Sequence, residues 1–171
     1  MELLRLLEWR IGLQVLVLGV VSIGLAAVTN AVRPNRLAWV IDPKTSVDPG
    51  ENPELAEQVA ISLEELREHL MLGTAAFVDA RKPEEYAEAH LATAINIPST
   101  QKEHYLDVMF EMLPLEGVII IYCEGGGCES SNVVFKFLVD NGYPVENLKM
   151  YMPGWEALGE LDDLPIVYGT D

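Results

Sequence analysis

Cysteine, histidine and basic residues are scarce in this 171-residue sequence. Two cysteines are too few for a disulfide-stabilised scaffold. The three histidines are scattered rather than grouped with cysteines at zinc-binding spacing, so we expect neither a metal site nor another cofactor. Lysine and arginine number 11 against 27 aspartates and glutamates, which gives a net charge of −16. Because such a surface repels a phosphate backbone, the sequence argues against a nucleic-acid partner.

Charge is also absent from residues 11–32, a run rich in Val, Leu and Gly. As a helix, this run would span ~33 Å, close to the hydrocarbon thickness of a bilayer, and Trp9 precedes it as an interfacial aromatic residue would. We therefore predict a single-pass N-terminal transmembrane helix that anchors the chain in a lipid bilayer. A cleaved signal peptide is the alternative, because residues 29–31 resemble a cleavage site. Arginines flank the run on both sides, so the sequence does not determine on which side of the membrane the domain lies.

The rest of the chain is predicted to form a linker and one α/β domain. We divide the sequence into a membrane anchor, a linker rich in turn signals, a folded domain and a tail, over residues 1–36, 37–57, 58–165 and 166–171. Apolar, mostly β-branched runs predict strands at residues 58–61, 75–79, 94–97, 117–122 and 148–151.

Helical patterns lie between these strands. The first is predicted to start with a capping box formed by Ser62 and Glu65 and to stop at Gly73. Strands that alternate with helices predict a parallel sheet of about five strands with helices on both faces. Ligands of such sheets bind beyond the carboxyl ends of the strands.

A glycine-rich loop follows the most apolar strand, and it begins with Cys123. The remaining loop residues are Glu124, Gly125, Gly126, Gly127, Cys128, Glu129, Ser130 and Ser131. The glycines allow backbone N–H groups to converge on an anion, and the helix that follows adds its positive dipole end. This setting favours the thiolate, so we predict a lowered pKa and a nucleophilic cysteine. An inert core cysteine is the alternative.

Several motifs resemble those of the rhodanese family, in the same order along residues 58–160. They are D-x-R at 79–81, E-Y at 85–86, A-H-L-A-T-A-I-N-I-P at 89–98, Y-C at 122–123, G-Y at 142–143 and P-G-W at 153–155. The resemblance implies a rhodanese-like fold and a sulfurtransferase or persulfide carrier. Cys123 would accept a sulfane sulfur as a persulfide and pass it to a nucleophile, while the loop cradles the bound anion. Asp79, Arg81 and His90 would hold the scaffold around the loop.

The loop departs from the family pattern C-x-x-G-x-R in both length and charge. It is about two residues longer and contains no arginine or lysine, while Glu124 and Glu129 add negative charge. Carboxylates beside the cysteine oppose a small dianion. We therefore expect the sulfur donor and acceptor to be proteins or low-molecular-weight persulfides and thiols rather than thiosulfate.

Other functions remain open at this point. The missing loop cation also fits a non-catalytic interaction module built on the same scaffold. Cys128 could resolve an oxidised or persulfidated Cys123, which would make the pair a thiol–disulfide switch or a two-cysteine sulfur relay. A cysteine-loop phosphatase is disfavoured, because it needs a cation to hold the phosphoryl oxygens.

Overall fold

The computed structural model describes residues 2–32, 46–126 and 129–169, in two compact units that comprise residues 1–41 and 42–171. The first unit contains helix α1 (Glu2–Val32). Residues 33–45, which include the junction of the predicted anchor and linker, lie outside the described residues. A search of the described residues finds no helix with both the length and the apolar character needed to cross a membrane, so the predicted transmembrane span is not confirmed.

The second unit alternates helices and strands. Its described helices are α2 (Pro53–Val59), α3 (Leu63–Leu72), α4 (Pro83–Glu88), α5 (Leu106–Met112), α6 (Glu129–Asp140) and α7 (Gly154–Leu158). Its described strands are β1 (Ala75–Asp79), β2 (Ala89–Leu91), β3 (Ala94–Asn96), β4 (Val118–Tyr122), β5 (Leu148–Tyr151) and β6 (Ile166–Tyr168). Short 3₁₀ turns occupy Lys102–Tyr105 and Val145–Asn147.

Local sequence signals fix the ends of α3 as predicted. The Ser62 hydroxyl accepts a hydrogen bond from the Glu65 N–H, and the Glu65 carboxylate accepts one from the Ser62 N–H. The helix ends at Gly73, which has a left-handed φ of +63°. Both features are those of a capping box and a glycine C-cap.

The main sheet is parallel, with the strand order β3-β1-β4-β5. It has four strands where the sequence predicted about five, because residues 58–61 do not form a strand. The Asn52 side chain caps α2, Pro53 starts it, and the helix runs on to Val59. Ala60 then makes only an isolated bridge to Met150. Val59 and Ile61 are buried because the end of α2 and the residues that follow it pack against the core, not because they belong to a strand.

A second, antiparallel sheet pairs β2 with β6. Residues 166–168, which the sequence analysis assigned to a tail, are therefore part of the fold. The pairing joins segments more than seventy positions apart, and Ile166 lies opposite Leu91.

Both faces of the main sheet are buried, as predicted for a parallel sheet. Side chains alternate along each strand, so Ile119 and Ile121 pack with residues of α2, α5 and α6. Ile120 and Tyr122 point to the opposite face and pack with residues of α3 and α7. β4 is thus the most enclosed strand, and the residue that follows it is held on a rigid support.

Candidate active site

Cys123 lies directly after β4 and is buried, with 3% of its surface exposed. Its thiol donates a hydrogen bond to the Ser131 hydroxyl, with 3.5 Å between Sγ and Oγ. Ser131 lies in the first turn of α6, which starts at Glu129. The last three residues assigned to the loop are therefore helical. The sulfur therefore lies beside a helix N-terminus, whose positive dipole end favours negative charge on it.

The backbone of the loop is held by α7. The Cys123 carbonyl accepts a hydrogen bond from the Trp155 N–H at 2.7 Å, and the Glu124 carbonyl accepts one from the Glu156 N–H at 2.9 Å. Gly154 has a φ of +66°, and a Cβ atom there would lie 2.5 Å from both the Cys123 oxygen and the Gly125 nitrogen. This close approach requires glycine at position 154. In the sequence, Gly154 belongs to a family motif but has no predicted role.

The tip of the loop contains glycines with positive φ. The φ angles are +132° at Gly125 and +62° at Gly126, and a Cβ atom on Gly125 would collide with the Pro153 carbonyl. Gly127 and Cys128 lie outside the described residues. The hypotheses of a Cys123–Cys128 switch or relay therefore stay predictions.

Asp79 and Arg81 form a buried ion pair at the carboxyl end of β1. Arg81 Nε lies 3.1 Å from each Asp79 carboxylate oxygen, and Nη2 lies 2.7 Å from Oδ2. Nη2 also donates to the Ala89 carbonyl at 2.7 Å. Burial by itself lowers the pKa of Arg81, but the hydrogen bond and charge of Asp79 outweigh it and raise the pKa overall. The guanidinium is therefore a permanent cation.

Arg81 also contacts the loop and α7. Its Nη1 lies 3.9 Å from Glu124 Oε2, and its Cζ lies 4.3 Å from the centre of a Trp155 ring. The loop thus has a cation beside it, contributed by the chain after β1 rather than by the loop itself. Arg81 was predicted only to support the scaffold; its contact with Glu124 was not predicted, because it depends on the alignment of β1 with β4.

His90 is buried on β2, where it joins this strand to α4. Its Nδ1 lies 2.7 Å from the Tyr86 carbonyl, and the two rings stack with centres 3.7 Å apart. Nearby, burial and the charge of Asp79 raise the pKa of Tyr122, whose hydroxyl accepts a hydrogen bond from the Leu91 N–H. These contacts organise the region between β2 and β4.

A cavity of about 200 Å³ opens at the carboxyl edge of β1, β3 and β4. Arg81, Lys82, Ser99, Glu124 and Ser130 contribute to its wall. The Ser99 and Ser130 hydroxyls are 3.0 Å apart, which connects the chain after β3 to the start of α6. Lys82 and Ser99 were not predicted as site residues, because no local sequence pattern marks them. Among the described residues, no cluster of His, Cys, Asp and Glu is arranged to hold a metal ion.

Residues 62–160 match the family model of the rhodanese-like domain. The chain belongs to the rhodanese-like family. Solved structures with the same fold include the BH2092 protein from Bacillus halodurans, with 26% identity, a TM-score of 0.52, and coverage of 64% of this chain and 82% of that one. Another is the human single-domain sulfurtransferase TSTD1, with 24% identity, a TM-score of 0.51, and coverage of 61% and 98%.

A third similar structure is a full-length protein from Lactobacillus plantarum, with 16% identity, a TM-score of 0.52, and coverage of 68% and 92%. No curated protein matches the chain in sequence. The family match covers residues 62–160, and these solved structures share the fold of that domain.

Proposed function

We propose that this rhodanese-like domain is a sulfurtransferase or persulfide carrier in which Cys123 accepts the sulfur. The main support is the placement of the thiol. It follows the central strand and lies at the N-terminal turn of α6, with the Ser131 hydroxyl 3.5 Å from the sulfur. A helix N-terminus stabilises both a thiolate and the persulfide anion derived from it. The Ser131 hydroxyl accepts a hydrogen bond from the neutral thiol and can rotate to donate one to the thiolate.

Sulfur transfer needs no external oxidant. The Cys123 thiolate attacks the terminal sulfur of a donor persulfide, R–S–SH, and a new sulfur–sulfur bond forms while the donor's own sulfur–sulfur bond breaks. The donor leaves as the thiolate R–S⁻, and the protein holds Cys123–S–SH. An acceptor thiolate then attacks the terminal sulfur in the same way and regenerates the Cys123 thiolate.

The charges around the loop favour persulfides over thiosulfate. Arg81 contributes one positive charge, but Asp79 lies against it and Glu124 lies 3.9 Å from its Nη1. The three groups together carry a net negative charge, which opposes a small dianion. A protein or low-molecular-weight persulfide carries less charge at the reacting sulfur and is the donor class that we propose.

The proposal is tested by the intact mass of the purified full-length chain after exposure to a persulfide donor. We expect the wild-type protein to gain one sulfur atom and to lose it again on addition of an acceptor thiol. Cys123→Ser should gain none, whereas Cys128→Ser, the matched control, should still gain one. Sulfur uptake by Cys123→Ser at the wild-type level would refute the assignment of the acceptor.

A non-catalytic interaction module is the second candidate, and the 3% exposure of Cys123 is the observation that favours it. A buried, unactivated thiol reacts slowly with alkylating agents. A pH profile of the alkylation rate separates the two functions. An activated Cys123 keeps its reactivity below the pH at which an ordinary thiol, with a pKa of about 8.5, loses it, whereas an inert cysteine does not.

A further inference from the structure

Among the described residues, one nitrogen of the Arg81 guanidinium has no hydrogen-bond partner. The side chain is 3% exposed. Its Nε donates to Asp79, and its Nη2 donates to Asp79 and to the Ala89 carbonyl. Within the part of the chain that the structure describes, Nη1 makes no hydrogen bond, because the Glu124 carboxylate oxygen at 3.9 Å is too distant. Two N–H donors of a buried cation therefore remain available at the cavity wall.

The cavity in which these groups meet suits a small ligand. Its volume is about 200 Å³. A cavity of about 150 Å³ holds a benzene molecule, whereas sites for larger organic ligands usually begin at about 300 Å³. Ser99 and Ser130 add hydroxyl groups to the wall. The volume is consistent with a single amino acid and small for a peptide.

The wall carries charges of both signs. Arg81 and Lys82 are the cations, and Glu124 and Glu85 are the carboxylates. The Lys82 ammonium makes no ion pair with any residue that the structure describes, and the Glu124 side chain is 49% exposed, so both can turn towards a ligand. A simple anion is attracted by Arg81 and repelled by Glu124. A simple cation is attracted by Glu124 and repelled by Arg81. A ligand with a carboxylate and an ammonium group on one carbon satisfies both.

We propose that this cavity binds the amino-acid headgroup of a small thiol or persulfide. The carboxylate lies on Arg81 Nη1 and Lys82, and the ammonium group lies on Glu124. The biological meaning of this site rests on the proposed sulfur transfer, since Glu124 directly follows Cys123. Ser130, which also contributes to the wall, precedes Ser131, whose hydroxyl contacts the Cys123 sulfur. An amino-acid persulfide bound here has its charged end beside the loop that holds the acceptor cysteine.

Binding of unreactive analogues tests the site without any turnover. S-methylcysteine carries both charges, 3-(methylthio)propanoate lacks the ammonium group, and 2-(methylthio)ethylamine lacks the carboxylate. Each is titrated calorimetrically into the full-length Cys123→Ser protein. We expect S-methylcysteine to bind about tenfold more tightly than either analogue, the effect of one additional hydrogen bond between charged groups.

Charge-neutral variants then assign the contacts. On the Cys123→Ser background, Glu124→Gln should weaken S-methylcysteine about tenfold while leaving the propanoate unchanged or tighter. Glu84→Gln, which removes an exposed carboxylate of α4 outside the cavity, is the matched control and should change neither ligand. Equal affinity for the three compounds, absence of binding, or the same effect from both variants would overturn the proposal.

The binding measurements test the cavity independently of the sulfur-loading experiment, which tests Cys123. If Cys123 takes up sulfur but the analogues bind equally, the cavity proposal fails and the proposed function stands. If S-methylcysteine binds selectively but no donor loads Cys123, the proposed function fails and the headgroup site stands.

Discussion

Replacing Gly154 by alanine is the sharpest test of how the loop is held. The residue has a φ of +66°, and a Cβ atom would lie 2.5 Å from two loop backbone atoms, the Cys123 oxygen and the Gly125 nitrogen. Neither atom is at the end of a flexible side chain, so α7 and the loop must move apart. That movement stretches the hydrogen bonds that Trp155 and Glu156 donate to the loop carbonyls.

The magnitude follows from three contributions. The left-handed conformation costs an alanine about 1 kcal/mol, and forcing a methyl group into a packed contact adds about 1–3 kcal/mol. Weakening two backbone hydrogen bonds removes up to about 1 kcal/mol each. These contributions sum to a loss of about 2–6 kcal/mol in the free energy of unfolding for Gly154→Ala, a range that includes severe single substitutions.

Gly73→Ala is the matched control. Gly73 has nearly the same φ, +63°, but a Cβ atom there meets nothing within 4 Å. This variant should lose only about 1 kcal/mol. The assay is urea unfolding of both variants, followed by sulfur loading of Cys123 under conditions where both are folded. If the two variants lose the same stability, or if Gly154→Ala loads sulfur as fast as Gly73→Ala, the loop does not depend on its contact with α7.

Two further predictions concern stability. Burial, followed by the charge of Asp79, raises the pKa of Tyr122, and burial also raises the pKa values of Tyr86, Tyr143 and Tyr151. The folded state therefore retains these protons when the unfolded chain releases them, so the contribution of the tyrosines to the free energy of unfolding should be constant below about pH 10 and fall above it. Urea titrations at a series of pH values should show a shallower fall for Tyr122→Phe, and an identical pH dependence would contradict the assignment. Ser62→Ala should remove the α3 capping box at a cost of about 1 kcal/mol in urea unfolding, and a loss below a few tenths would show that the cap does not matter.

The strands of the main sheet were predictable from sequence where the residues of a single strand form an apolar pattern. The β-branched run of β4 is buried on both faces, and continuous hydrophobicity is the mark of such strands. The shorter apolar patterns of β1 and β5 also predicted strands that the structure contains. The pattern failed at residues 58–61, where Val59 and Ile61 resemble a strand although Asn52 and Pro53 start a helix. β6 was missed because a three-residue strand derives its stability from a distant partner, here β2.

Only the part of the site formed by consecutive residues, Cys123 and its loop, was predictable from sequence. A cysteine after a buried strand and before a helix is visible in the sequence, and the structure places Cys123 in that position. The charge that Arg81 brings to Glu124 and the contact of Gly154 with the loop are not visible, because each joins segments that are far apart in the chain. Such contacts depend on strand alignment and helix position, which local residue patterns do not specify.

The two sides of the contact between the loop and α7 are synthesised at different times. The carbonyl groups of Cys123 and Glu124 are bonded by N–H groups of Trp155 and Glu156, more than thirty positions later in the chain. A growing chain is extended by about 5–20 residues per second, so the cysteine is made seconds before the residues that fix its loop. The hydrogen bonds that hold the loop after Cys123 can therefore form only after the chain has been extended past Glu156, so the loop cannot reach its final geometry before the last third of the domain is made.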